Sequence, residues 1–242
     1  MHHHAARRTN ARARAFLFPL VAALVAIAVA TPVSQSVPAT AGSVTGRVTL
    51  TSRMRGVPIS TNAYLPRGVA GQQPATAPEM RSVVVYLKGV TPNSPVPASR
   101  AEIRQEHESF APRVLAVTRG STVDFPNFDP YFHNVFSLSG AGTFDLGRYP
   151  EGQTRSRQFS RPGIVKVYCH IHSHMSATIL VMDHPHFTTP DDSGAFSLAE
   201  VPPGDYTLVG WHERVGEQAI RLTVRPGEST TASLSLPVGE PR

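Results

Sequence analysis

The sequence predicts an all-β protein, and three observations carry that prediction. The chain of 242 residues holds 22 prolines and 18 glycines, which cut it into short segments. Several segments alternate apolar and polar residues at a period of two, as a half-buried strand does. Long runs with a helical period are few. A hydrophobic content of 40% is enough for one or two packed domains.

Residues 1–41 read as an export signal. Arg7, Arg8, Arg12 and Arg14 form a basic start, and Phe16 to Ala30 is an apolar run short for a membrane span. Ala28-Val29-Ala30 and Ala39-Thr40-Ala41 both fit a small-residue cleavage site; the second is preferred because strand patterning begins just after it. An uncleaved anchor is the alternative. The chain's net charge is +6, and the leader holds four arginines and no acid, so the remainder carries +2. That balance gives no support for nucleic-acid binding. The expected location is periplasmic or otherwise exported, with no membrane span in the mature chain.

Residues 42–81 contain a first strand, Val44 to Leu50, then an irregular stretch rich in Pro, Gly and Ser from Thr51 to Met80. Residues 82–185 form the next domain. It opens with the apolar strand Val83 to Leu87. Ile103 to Glu108 (IRQEHE) is charged and is expected at an edge or on the surface, with His107 solvated. Phe110 to Val117 and Thr122 to Phe125 are strands joined by a turn at Arg119-Gly120, and Pro126 to Pro130 is a loop of turn residues. Val135 to Leu138 returns as a strand. Short strands with regular turns suit a Greek-key sandwich.

The most informative stretch is Val165 to Val181, VKVYCHIHSHMSATILV. Period two puts Val165, Val167 and Cys169 on one face and Lys166 and Tyr168 on the other. The exit strand alternates Ala177, Ile179 and Val181 with Thr178 and Leu180, so it is expected to be buried on both faces. Between the strands lies Cys169-x-x-His172-x-x-Met175. A thiolate, imidazoles and a weak thioether form a donor set suited to copper that cycles between Cu(I) and Cu(II). Three donors on one loop leave the ion another imidazole to find. Structural zinc would have no use for the methionine. Cys169 is the only cysteine, so a binuclear copper centre is excluded, and an exported chain with one cysteine holds either a free thiol or a metal ligand.

DFPNFDPYFHNVFSLS together with VYCHIHSHMSATILV resembles the cupredoxin family of plastocyanin and amicyanin, and more closely the cupredoxin-domain proteins labelled methylamine utilisation proteins. The resemblance runs over about Ser82 to Asp183. It implies one mononuclear copper ion held by His133, Cys169, His172 and the axial Met175. It also implies that Asn134 ties the two ligand loops together by hydrogen bonds. His170 and His174 alternate with His172 and are expected near solvent, with metal capture as their alternative role.

Residues 186–242 change character. SGAFSLAEVPPGDYTLVGWHE resembles carboxypeptidase regulatory-like or transthyretin-like β-modules. About four strands are few for a sandwich, so Val44 to Leu50, with Val83 to Leu87 as a second candidate, is expected to pair with this sheet. His184 and His186 flank Pro185 in a linker where nothing nearby completes a metal site. Trp211 is expected packed at a strand end, with His212 and Glu213 exposed.

The functional expectation is an exported type 1 copper protein that transfers single electrons to an unidentified redox partner protein and is not an enzyme. His172 is the expected electron port, and Pro130, Phe132 and Ile171 the apolar patch around it. The alternative is a copper-binding or delivery module without redox turnover.

Overall fold

A computed structural model describes residues 40–51, 79–91 and 96–237. Nearly all of the expected export signal, the preferred cleavage site except for its last two residues, and nearly all of the irregular stretch after the first strand lie outside the described residues. The described chain is all-β apart from one 3-10 turn, Glu79–Ser82. No helix among the described residues is long and apolar enough to cross a membrane.

Among the described residues, seventeen strands form four larger sheets and one small hairpin. A five-stranded sheet runs in the order β6 (Val114–Thr118), β12 (Ser176–Met182), β11 (Gly163–Tyr168), β8 (His133–Ser139), β9 (Gly142–Tyr149). Facing it is a three-stranded sheet of β10 (Thr154–Gln158), β7 (Thr122–Pro126) and β3 (Arg100–Glu102). Between them sits a core that includes Ile103, Val123, Phe125, Val135, Phe159, Val165, Val167 and Ile179. Inward residues follow the expected period: Val165, Val167 and Cys169 are buried, whereas Tyr168 reaches solvent.

The second sandwich pairs a sheet of β14 (Ala195–Val201), β1 (Gly42–Leu50) and β17 (Ser229–Leu236) with a sheet of β13 (Phe187–Thr188), β2 (Val83–Lys88), β15 (Gly204–His212) and β16 (Gly216–Val224). β1 runs antiparallel to β14 and parallel to β17. A Cβ on Gly46 would meet the Ala232 carbonyl oxygen at 1.8 Å, so only glycine lets the strand pass there. β2 is bonded to β13 and β15. Residues 83–88, counted above with 82–185, therefore belong by hydrogen bonding to the second sandwich. The reason lies in the apolar run: Val83, Val85 and Leu87 enter the core of this sandwich, while Val84 and Tyr86 face the opposite way.

That opposite face joins the two halves. Val84, Tyr86, Val209 and Trp211 pack on Val114, Leu180 and Met182 of the five-stranded sheet. β12 is thus buried on both faces, with Ala177, Ile179 and Val181 in one core and Leu180 and Met182 in the other. Each large side chain so buried contributes about 1.5–3 kcal/mol. The Glu213 carboxylate clips this junction: it lies 2.6 Å from Arg113 and 3.4 Å from Lys166.

Two surface expectations are corrected. Ile103 and Gln105 are fully buried, because β3 and β4 (Arg104–Glu106) send alternate residues inward and only the charged ones outward. His212 is fully buried as well. Its Nδ1 accepts the Arg214 amide at 3.3 Å, and its Nε2 lies 2.8 Å from Glu79. Glu213, at the sheet junction, is also largely shielded.

Candidate metal centre

His133 opens β8, and Cys169 follows the last residue of β11. The two strands are neighbours, paired at Tyr168 and Phe136. The sheet therefore carries a residue from each to the same end of the sandwich. From there the chain makes a short loop before entering β12. Its turn is held by Met175 N donating to His172 O at 3.0 Å and by a longer contact from Cys169 N to Met175 O at 3.4 Å.

The result is a convergence of donors. His133 Nδ1 and His172 Nδ1 lie 3.0 Å apart. Cys169 Sγ is 4.0 Å from each of them. Among the described residues, this is the group of three whose ligand atoms approach one another closely enough for a shared ion. Donors about 2.0–2.3 Å from a common ion lie roughly 3–4 Å from each other, so the three fit one. His133 and Cys169 are buried, and His172 is half-buried. Met175 is buried in the same core as Cys169.

Burial, followed by the neighbouring His133, holds the His172 imidazole below its usual pKa. The neutral ring this favours is the form that ligates a metal. Thiolate and imidazole nitrogens at this spacing, closed from water on one side, suit an ion of intermediate softness such as copper.

Sequence reasoning named these donors but missed what stands behind them. Asp129, in the loop before β8, is buried, and its Oδ2 lies 2.8 Å from His133 Nε2. The same carboxylate accepts the backbone amides of His107 at 2.7 Å and Glu108 at 2.9 Å. Burial works to raise the Asp129 pKa, but the two amides and the imidazole together hold it below the ordinary carboxylate value. The available signal was an acid four residues before a candidate ligand, in a loop otherwise read as turn residues.

Asn134 links the His133 and Cys169 segments: its Oδ1 accepts from His170 N at 3.4 Å, while its Nδ2 donates to Asp145 Oδ1 at 2.7 Å. The three alternating histidines of the loop do not share a role. His170 stacks on Phe136, with ring centroids 3.7 Å apart. His174 lies 3.4 Å from Glu108. Both are exposed. Pro130 is exposed, as are Phe132 (56%) and Ile171 (40%), and Phe128 and Tyr131 add further exposed apolar surface. The Tyr131 and His172 ring centroids are 6.5 Å apart. His184 and His186 stack on each other, with His184 buried.

No family model matches the chain, and no curated protein matches it. Solved structures do. The chain is similar to the Cu-containing nitrite reductase from Thermus scotoductus SA-01, at 26% identity over 39% of this chain and a TM-score of 0.32, and it spans only 24% of that enzyme. A reduced amicyanin variant matches at 21% identity over 34% of this chain and 80% of its own, with a TM-score of 0.32. The purple cupredoxin from Nitrosopumilus maritimus matches at 23% identity over 34% of this chain and 99% of its own, with a TM-score of 0.31.

Proposed function

We propose that the chain is an exported, mononuclear type 1 copper protein of the cupredoxin kind, whose work is one-electron transfer to a partner protein. The supporting observation is the single cysteine meeting two imidazole Nδ1 atoms at 4.0 Å in a largely buried group. Copper bound there would supply a Cu(I)/Cu(II) couple.

In this reading His133, Cys169 and His172 hold the ion and Met175 is its weak axial neighbour. The sandwich core behind Cys169 and Met175 keeps water from the thiolate and limits ligand movement between oxidation states. His172 is the half-buried member of the set and the route by which an electron leaves. Pro130, Phe132 and Ile171 form an apolar contact surface beside it, suited to a transient redox partner. The second sandwich, resembling carboxypeptidase regulatory-like modules, is a rigid support for β12.

A second reading, copper storage or delivery without turnover, is favoured by the exposed His170 and His174 beside the site. Voltammetry of the copper-loaded chain separates the two. A reversible one-electron wave with fast exchange to a small redox protein supports electron transfer. Copper that is lost to a chelator within minutes and gives no reversible wave supports delivery.

A further inference from the structure

We infer that Asp129 is a positioning residue for the metal centre: it fixes which nitrogen of His133 faces the ion, and it does so from the same carboxylate that holds a strained turn at the mouth of the site. The inference rests on the copper reading for its consequence, but not for its geometry.

A carboxylate only accepts hydrogen bonds. With Asp129 Oδ2 at 2.8 Å from His133 Nε2, Nε2 carries the proton, and the Nδ1 lone pair is left for the position near Cys169 Sγ and His172 Nδ1. His133 has no exposed surface, so bulk water does not reach Nε2 while Asp129 is in place. A carboxylate in that place also makes the imidazole a stronger donor.

The other contacts of Asp129 explain why the carboxylate stays in place. β4 and β5 (Ser109–Ala111) form a hairpin whose two-residue turn is His107-Glu108. Both residues have positive φ, 53° and 52°. This is the primed turn that normally takes Asn-Gly, and Glu108 stands where glycine would relieve the strain. Asp129 accepts both turn amides. The turn in turn sets Glu108 against His174, at 3.4 Å, next to Met175. One buried carboxylate thus joins the β4–β5 turn, the His133 loop and, through Glu108, the Cys169–Met175 loop.

The test uses the full chain, first without metal. Long-range proton–nitrogen NMR at about pH 8, well above the usual histidine pKa, reads the tautomer of each histidine. His133 is expected protonated on Nε2; protonation on Nδ1 would overturn the inference whatever the metal. Asp129→Asn is expected to disturb that tautomer, weaken copper affinity by about 10–100-fold and raise the midpoint potential of the loaded protein. Unchanged tautomer, affinity and potential would overturn it. Because the variant also frees the turn, His107→Asn with Glu108→Gly is added to Asp129→Asn, supplying the residues the turn prefers. Recovery of thermal stability without recovery of tautomer and affinity is the expected result. Recovery of all three would show that Asp129 acts only through the turn, against the inference. Loss of the copper reading would show separately, as a wild-type chain without a thiolate–copper spectrum and an unaltered His133 tautomer.

Discussion

The Nδ1 atoms of His133 and His172 lie 3.0 Å apart, although 39 residues separate them in the chain. Two like donors are brought this close by pairing β8 with β11 and by a tight turn after Cys169. The site is built by the sheet, and predictions can be made for each of its parts.

Cys169→Ser keeps the size of the side chain but removes the soft donor. The copper-loaded variant is expected to lose thiolate absorption altogether. Its metal-free form should lose no more than about 1–3 kcal/mol, since the cost is a hydroxyl in a largely dry place. Denaturant unfolding beside visible spectroscopy checks both.

Asn134 is almost fully buried and serves the His170 amide and Asp145. Asn134→Ala removes both bonds, and about 1–3 kcal/mol of stability should go with them. Amide exchange in the Cys169–Met175 loop should rise, measured by hydrogen exchange. Exchange confined to its wild-type rate would mean that the bridge does not hold that loop.

The sheet junction can be weakened without touching His133, Cys169, His172 or Met175. Trp211 packs between the sandwiches, in a core separate from that of Cys169. Trp211→Ala is expected to cost about 3–5 kcal/mol and to leave the copper spectrum of the folded protein unchanged.

Three histidines outside the metal group make stability fall in mild acid. Burial holds the pKa of His184, His186 and His212 below 6.5. For His212 the Glu79 carboxylate opposes this and Arg214 adds to it. A base with a depressed folded-state pKa contributes its full stability above its unfolded value, and that stability is lost as pH falls below 6.5 toward the folded value. The melting temperature of the metal-free chain should therefore drop between about pH 7 and pH 5. His212→Asn keeps an acceptor for the Arg214 amide, does not titrate, and should make the drop shallower. A flat profile in the wild type would contradict this.

If electrons leave through His172, charged residues on the apolar rim should slow partner reactions. Phe132→Glu and Ile171→Glu are expected to lower the bimolecular rate by about tenfold or more, equal to about 1.4 kcal/mol, with the midpoint potential little changed. Rates that stay at the wild-type value would place the port elsewhere.

Much of this was legible in the residues, for physical reasons that differ by element. Alternation in Val165, Val167 and Cys169 located an inward thiol, because side chains on a strand must face opposite ways. The exit strand, with Ala177, Ile179 and Val181 alternating with Thr178 and Leu180, was expected to be buried on both faces, and the stacked sandwiches cover both. What the sequence hid depended on contacts across distance. Gln105 and His212 look like surface residues in polar surroundings, and their burial follows from strand register. Asp129 lies among turn formers, and only the fold puts it against both His133 and the His107-Glu108 turn.

The most direct test of the central claim is the electron paramagnetic resonance and visible spectrum of the chain after one equivalent of copper, beside Cys169→Ser. The account predicts an intense thiolate-to-copper band with compressed hyperfine splitting, both absent in the variant. A colourless protein with the wide splitting of ordinary tetragonal copper, the same in wild type and variant, would contradict it.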